Sequence, residues 1–164
     1  MLKLTGIILI LVSDFFLVKF ILDSRKREID FIKDIIIFIK NMSIEIIELK
    51  RPLYEAIVSN KESISPEIDY LIERFKEKSN TPREDIILAV KETEALDEAA
   101  KKTLTEYLNI VGRTTKEGME DFLSVTINSL NYMLSEKINK NKNSKKTVNA
   151  TVYSLSILFV IFIW

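Results

Sequence analysis

Residues 31–53 read FIKDIIIFIKNMSIEIIELKRPL, and this stretch decides the fold. Its apolar residues recur at intervals of three and four positions, which is the spacing of one face of an α-helix. The members of this seam are Ile32, Ile35, Ile39, Met42, Ile46, Leu49 and Leu53. Because Phe31, Ile36 and Phe38 widen the seam, we expect a long helix that is covered on more than one side and that continues directly from the apolar segment before it.

Prolines mark the predicted starts of the next three helices, because Pro is tolerated in the first turn of a helix. Pro52 opens PLYEAIVS, and Ser65–Pro66 opens PEIDYLIERFKEK. The apolar face of the latter consists of Ile68, Leu71, Ile72 and Phe75. The segment Thr81–Glu84 opens PREDIILAVKETEA with a Thr at the cap and a Glu three residues later, which is the pattern of a capping box.

Two further helices complete the series. One is predicted from about Asp97 to Val111, and Gly112 is placed to end it, since Gly readily adopts the left-handed conformation of a helix C-terminus. Its apolar face consists of Ala100, Leu104, Tyr107, Leu108 and Val111. A second capping box, Thr114–Glu117, opens a last long helix. The stripe of that helix is Met119, Leu123, Ile127, Leu130, Leu134 and Ile138.

These patterns predict an all-α protein, an antiparallel bundle of about six helices with short connections. The 164 residues suffice for one domain of ordinary size. Gly and Pro number three each, and no stretch shows the alternation of a half-buried strand. The segment KINKNKNSKK at 137–146 is interpreted as a short linker.

Both ends of the chain are apolar. Residues 4–22 read LTGIILILVSDFFLVKFIL, and residues 148–164 carry no charged side chain. As a helix, the second run would be about 25 Å long, near the lower limit for crossing a bilayer. We therefore expect a transmembrane helix at 1–22, a cytoplasmic helical domain at 23–147 and a second transmembrane helix at 148–164. A cleaved signal peptide is the alternative for the first run, although it lacks an A-x-A-like site.

Basic residues flank both apolar runs on the side of the central domain. They are Arg25, Lys26 and Arg27 after the first run, and Lys137, Lys140, Lys142, Lys145 and Lys146 before the second. Because basic flanks stay inside the cell, the central domain should be cytoplasmic and both termini should lie on the far side. The lysine run is also compatible with nucleic-acid binding, but its place beside a span favours membrane lipids with anionic headgroups.

Asp14 is the acidic residue of the first apolar run. An intramembrane carboxylate is costly and usually faces protein or water. Asp14 would then make a polar contact to another membrane helix, at the level of Ser156 in an antiparallel pair. Alternatively it is protonated or tilted toward the interface, and the sequence leaves both interpretations open.

The composition favours an assembly component over an enzyme. The chain contains no His and no Cys, which excludes thiol nucleophiles, imidazole bases, disulfides and His/Cys metal sites. Paired carboxylates are plentiful but lack the His of a di-metal bundle, and no Gly-rich phosphate loop occurs. We expect no catalytic residue, no cofactor, no small-molecule substrate and no nucleic-acid partner.

Charge is unevenly distributed along the central domain. Acidic residues outnumber basic ones between 41 and 136, whereas basic residues predominate at 23–40 and 137–147. Solvated helix faces account for most of these charges. A basic partner that meets the acidic part is the sharper interpretation, because complementary fields steer association.

Three stretches carry a family resemblance: MLKLTGIILIL at the start, EIIELKRPLYEAI at 45–57 and VGRTTKEGMEDFL at 111–123. They resemble the opening, the E-I-x-Y-x-x-x-P-L-x-E-A-L segment and the L-G-x-S-D-x-x-x-Q segment of the stage III sporulation protein AB family of endospore-forming bacteria. The order of the elements and both apolar ends agree as well. The resemblance therefore covers the whole chain.

The two internal segments supply the candidate partner-binding residues that the resemblance implies. They are Glu45, Glu48, Pro52 and Glu55 in the first segment, and Arg113, Thr115, Lys116 and Met119 in the second. The chain departs from the family pattern at four positions: Glu48 replaces a Tyr, Leu108 a Gly, Thr115 an Asp and Met119 a Gln. Both segments also have a purely structural interpretation, since a break at Pro52 and a capped turn at 112–117 would close the bundle.

The resemblance implies a specific role. The family belongs to the machinery between mother cell and forespore during engulfment, in the mother-cell membrane that surrounds the forespore. Its soluble domain is similar to the cytoplasmic domain of the platform protein of type II secretion and type IV pilus systems. A non-catalytic platform that docks a cytoplasmic secretion-type ATPase, sporulation protein AA, onto other membrane subunits is thereby expected.

Two alternatives stand beside this role. A generic membrane-anchored helical adaptor of pilus assembly, secretion or division would share the same composition and spans. A hydrolase at the membrane is the other alternative, against which the lack of His and Cys argues.

Overall fold

The computed structural model describes residues 2–60, 66–76 and 81–163. Within these residues the chain forms six α-helices and no strand, which confirms the all-α class and the number of helices. The helices are α1 Leu2–Ile47, α2 Leu53–Ser59, α3 Pro66–Lys76, α4 Pro82–Glu92, α5 Glu98–Ile110 and α6 Lys116–Ile163.

The chain divides into two compact units. Unit 1 consists of Met1–Arg27 and Glu136–Trp164, and unit 2 is Glu28–Ser135. The domain boundaries expected at 22 and 147 stay predictions. Across the described ranges 2–60, 66–76 and 81–163, no helix combines the length and the apolar character that crossing a membrane requires.

The hydrophobic core lies in unit 2 and is built around α1. Ile32, Ile35, Ile39 and Met42 are buried, as the periodicity of the first stretch predicts. Leu49, predicted as a member of the same seam, is instead 56 % exposed, because α1 ends at Ile47 and the turn after it points the chain elsewhere. The seam therefore confirms the helix but overstates its length.

The short helices close the other sides of this core. The predicted faces of α3 and α5 are confirmed, and their members are buried: Ile68, Leu71, Ile72, Phe75, Ala100, Leu104, Tyr107, Leu108 and Val111. Helix α4 packs against α2, α3 and α5. In the stripe of α6, Leu130 is fully buried and Met119, Leu123, Ile127 and Leu134 pack against the core, whereas Ile138 is exposed.

Helix α4 ends earlier than the sequence predicts. Its last residue is Glu92, and Thr93 is extended with ψ 131°. Leu96 is buried beyond this break, and Asp97 then caps α5 by accepting a hydrogen bond from the Ala100 amide at 2.9 Å. Burial of Leu96 and the cap of α5 at Asp97 therefore end α4, although residues 93–95 contain no strong helix breaker.

The predicted caps are realised in different ways. The Thr81 hydroxyl donates to the Glu84 carboxylate at 2.7 Å instead of accepting from a backbone amide, so the two residues pair without forming a complete capping box. The cap predicted at Ser65 lies outside the described residues. Helix α1 runs uninterrupted from Leu2 to Ile47, as expected.

The segment 137–146, interpreted from sequence as a linker, is helical. It forms part of α6, and a Lys140–Glu136 ion pair of 3.1 Å spans one turn there. The segment contains neither Gly nor Pro, so nothing in its backbone interrupts a helix that is already propagating.

A polar contact crosses the core between α1 and α5. The hydroxyl groups of Ser43 and Tyr107 are hydrogen-bonded, and the Ser43 hydroxyl also donates to the Ile39 carbonyl. Both side chains are buried, with Tyr107 at 1 % exposure. Burial raises the pKa of the Tyr107 phenol above its ordinary value of 10.0, and the hydrogen bond with Ser43 opposes that effect.

This raised pKa makes the stability of the fold fall at high pH. The folded chain holds the phenolic proton more tightly than the unfolded chain, so the stabilisation is present below pH 10 and is lost as the pH rises through the folded-state pKa. Tyr107→Phe should cost about 1 kcal/mol at neutral pH and should flatten the alkaline decline. Denaturant unfolding from pH 8 upward, followed by circular dichroism, measures both effects.

The matched control for this prediction is Tyr132→Phe. Tyr132 is 71 % exposed, so its removal should leave the alkaline decline as it is. An equal flattening in both variants would contradict the assignment to Tyr107.

Candidate interaction surface

The first candidate segment forms a tight turn at the end of α1. The Glu45 carbonyl accepts from the Arg51 amide at 3.1 Å, and the Arg51 guanidinium lies 2.7 Å from the Glu45 carboxylate. Lys50 between them has φ +53°, a left-handed conformation that costs a side-chain-bearing residue about 1 kcal/mol or more. Backbone and side-chain contacts thus fix the turn together.

Pro52 and Glu55 begin the next helix. Pro52 is the cap residue of α2, and its carbonyl accepts from the Ala56 amide at 3.0 Å. Glu55 lies in the first turn, where the positive end of the helix dipole favours a carboxylate. Both side chains are exposed, so they are accessible to a partner while Pro52 also serves the helix break predicted for it.

The second candidate segment is the turn between α5 and α6. Gly112 has φ +75°, which confirms its predicted role in ending α5. The Val111 amide donates to the Tyr107 carbonyl and the Arg113 amide to the Ile110 carbonyl, both at 2.9 Å. The Gly112 amide donates to the thioether sulfur of Met119 at 3.2 Å. Met119 therefore closes the turn from within, as a Gln at this position also could.

Thr115 is the cap residue of α6. Its hydroxyl accepts from the Gly118 amide at 3.2 Å, and its carbonyl accepts from the Met119 amide at 2.9 Å. The cap thus lies one residue after the predicted Thr114, and the predicted box is not completed, because Gly118 has no side chain to reach back to the cap. An Asp at position 115 would cap in the same way, so the departure from the family pattern keeps this structural function.

An ion pair joins the two segments, which are far apart in sequence. The Lys116 ammonium donates to the Glu48 carboxylate at 3.0 Å and also lies 3.7 Å from Glu120. The hydrogen bond and the charge of Glu48 raise the pKa of Lys116. Both partners of the Lys116–Glu48 pair are more than half exposed. Exposed pairs stabilise folds little, so this pair defines a charge pattern on the surface more than it holds the bundle together.

Arg83 on α4 supports this surface, a role that no pattern in the sequence indicates. Its guanidinium donates to the Leu108 carbonyl and, at 2.7 Å, to the Val111 carbonyl. The Leu108 carbonyl lies in the last turn of α5 and the Val111 carbonyl on the residue that caps it, where the helix offers no further amide partner. Burial, and then the nearby charge of Arg113, lower the pKa of Arg83. A cationic side chain at a helix C-terminus also suits the helix dipole.

We use the name turn surface for four exposed residues on these two joined turns: Glu48, Pro52, Arg113 and Lys116. The remaining candidates lie beside it in three roles. Glu45 pairs with Arg51, Thr115 and Met119 close the α5–α6 turn, and Glu55 is exposed on α2.

Gly112→Ala tests the strain at the centre of the turn surface. A Cβ at this position would meet only the Arg83 guanidinium, at 3.8 Å, so the substitution causes no clash. The cost comes from φ +75° and should lower the free energy of unfolding by about 1 kcal/mol. Lys50→Gly, which relieves the same conformation in the other turn, should not lower it. Urea unfolding of the full chain in detergent measures both, and a neutral Gly112→Ala would contradict this account.

Asp14 belongs to unit 1 and is partly buried in α1. The side chain of Ser156, its predicted neighbour, lies outside the described residues. A functional role for Asp14 stays a prediction.

The comparisons with known proteins identify the family. No curated protein and no solved structure matches the chain. The family model of stage III sporulation protein AB matches residues 3–164, and so includes both apolar ends and both segments of the turn surface. The chain therefore belongs to the stage III sporulation protein AB family, which implies a role in endospore formation.

Proposed function

We propose that this protein is a non-catalytic platform subunit of the trans-envelope complex between mother cell and forespore. Unit 2 presents the turn surface to a cytoplasmic secretion-type ATPase, sporulation protein AA. Unit 1 attaches the platform to the mother-cell membrane around the forespore, next to the other membrane subunits of the complex. The observation that carries the proposal is the Glu48–Lys116 contact, which unites the two segments of family resemblance in one exposed surface.

Exposed apolar side chains in unit 1 support the membrane attachment. Phe20, for example, is 77 % exposed. The other exposed large apolar side chains of unit 1 include Leu9, Val12, Phe15, Phe16, Leu17, Ile157, Leu158 and Ile161. Extensive apolar surface normally meets lipid or another protein. Residues 4–22 and 148–164 would supply this surface to the bilayer as two spans.

The chemistry of unit 2 supports a docking role. The turn surface carries the acidic Glu48 beside the basic Arg113 and Lys116, a mixed pattern that selects a partner by register rather than by overall charge. The turns that present it are fixed by backbone hydrogen bonds and by Arg83. A pre-organised surface loses little conformational entropy on binding.

The test is deletion of the gene in its spore-forming host, combined with copurification. Loss of spores, and capture of the ATPase by the tagged full chain, are expected. Alkaline carbonate extraction of membranes should leave the protein in the pellet. Normal sporulation without the gene would overturn the proposed function, and complete extraction by carbonate would overturn the membrane attachment.

A further inference from the structure

Unit 1 contains a cavity of about 420 Å³ that is lined by both charged and apolar side chains. Three lysines belong to the lining, Lys19 and Lys26 from α1 and Lys145 from α6. One carboxylate, Asp23, accompanies them. The lining thus carries an excess of positive charge, which suits an anionic occupant.

Lys19, Lys26 and Lys145 form no ion pair within residues 2–60, 66–76 and 81–163, and this includes Asp23 as a partner. By contrast, Lys140 on the same helix as Lys145 is paired with Glu136 at 3.1 Å. Three basic side chains and one carboxylate at the same cavity favour an anion that several of the lysines can contact.

The apolar part of the lining indicates what kind of anion this is. Phe15 lies among the exposed apolar side chains of α1, and Tyr153 combines an aromatic ring with a hydroxyl group. Aromatic rings of this kind are typical of the membrane interface, where apolar chains give way to headgroups. A freely soluble anion has no apolar group to pack against these rings, whereas a phospholipid has acyl chains close to its phosphate.

We infer that this cavity is a binding site for the headgroup of an anionic phospholipid, with the phosphate between Lys19, Lys26 and Lys145 and the start of the acyl chains against Phe15 and Tyr153. The inference rests on the membrane attachment proposed above and names its lipid partner. Basic pockets between helices at the cytoplasmic side of a membrane bind such headgroups in general.

The test compares two double variants that remove the same charge. Lys26→Gln with Lys145→Gln changes the cavity, and Lys142→Gln with Lys146→Gln changes exposed lysines outside its lining. The purified full chain in mild detergent is titrated with phosphatidylglycerol or phosphatidylcholine, and native mass spectrometry measures the bound lipid. The cavity variant should bind phosphatidylglycerol about 30-fold more weakly, or roughly fivefold per lysine. The control should stay within about threefold, because Lys142 and Lys146 lie outside the lining and supply only a general attraction that salt screens.

The other outcomes would overturn the inference. Equal weakening in both variants, or equal affinity for phosphatidylcholine, would show that the cavity does not select an anionic headgroup. Inorganic phosphate that binds as tightly as phosphatidylglycerol would assign the site to a free anion. Flotation of the same proteins with phosphatidylglycerol vesicles and with phosphatidylcholine vesicles distinguishes the two proposals. A protein that floats with both kinds of vesicle but fails the titration contradicts the lipid site alone. A protein that floats with neither contradicts the membrane attachment.

Discussion

Arg83→Met is expected to lower the free energy of unfolding by about 3 kcal/mol. The substitution keeps the apolar part of the side chain but removes the donors for the Leu108 and Val111 carbonyls. Hydrogen bonds from a charged donor contribute about 1.5–3 kcal/mol each, and water that reaches the freed carbonyls recovers part of that loss. Urea unfolding of the full chain in detergent, followed by circular dichroism, measures the change.

The control is a second arginine in a less demanding place. Arg74 pairs with Glu92 at 2.9 Å, and the two side chains are 39 % and 40 % exposed. Arg74→Met should therefore cost less than about 1 kcal/mol. Arg83→Lys should recover roughly half of the loss, because a single ammonium lacks the planar fork that reaches two carbonyls. Equal losses in Arg83→Met and Arg74→Met would contradict the proposed support of the α5–α6 turn.

Exchange of the two charges in the Glu48–Lys116 pair should weaken docking without unfolding the bundle. In the double variant Glu48→Lys with Lys116→Glu, opposite charges still face each other across the two turns, so their role in bundle closure is preserved, and only the exposed pair of Lys116 with Glu120 is lost. The charge pattern that a partner meets is inverted. If the turn surface docks the ATPase, we expect its affinity to fall by about tenfold or more, as for misplaced charges at an interface. Copurification and titration with the ATPase measure the effect.

A control exchange distinguishes docking from closure. Asp30 and Lys33 form an exposed ion pair of 2.8 Å in unit 2, away from both turns. Asp30→Lys with Lys33→Asp should leave the affinity unchanged. If the single variant Glu48→Lys loses the ATPase but the double exchange restores it, the pair closes the bundle and is not part of the contact.

The helices were predictable from sequence wherever apolar spacing alone decides them. The seam of α1 and the faces of α3 and α5 are buried as predicted. Helix ends were less predictable, because tertiary contacts decide them. A Gly at position 112 indicates a left-handed conformation, whereas no residue around Lys50 indicates the left-handed conformation found there. Helix α4 ends where Leu96 must be buried, which depends on the surrounding core.

The turn surface was predictable in its residues but not in its geometry. The two segments were recognised by family resemblance, whereas their meeting at Glu48 and Lys116 joins residues 68 positions apart. No local spacing rule covers such a pair. The sequence places Arg83 only in the first turn of a predicted helix, because a single sequence does not show which distant carbonyls a guanidinium reaches.

The hydrogen bond between Ser43 and Tyr107 has a mechanical consequence. A purely apolar contact between α1 and α5 would tolerate a shift of one helix along the other by one turn, about 5.4 Å. Here such a slide would leave the buried Tyr107 hydroxyl without a hydrogen-bond partner, at a cost of about 1–3 kcal/mol. A load applied along α1, as docking of the proposed ATPase would exert, would therefore be transmitted to α5, and the two helices would move together.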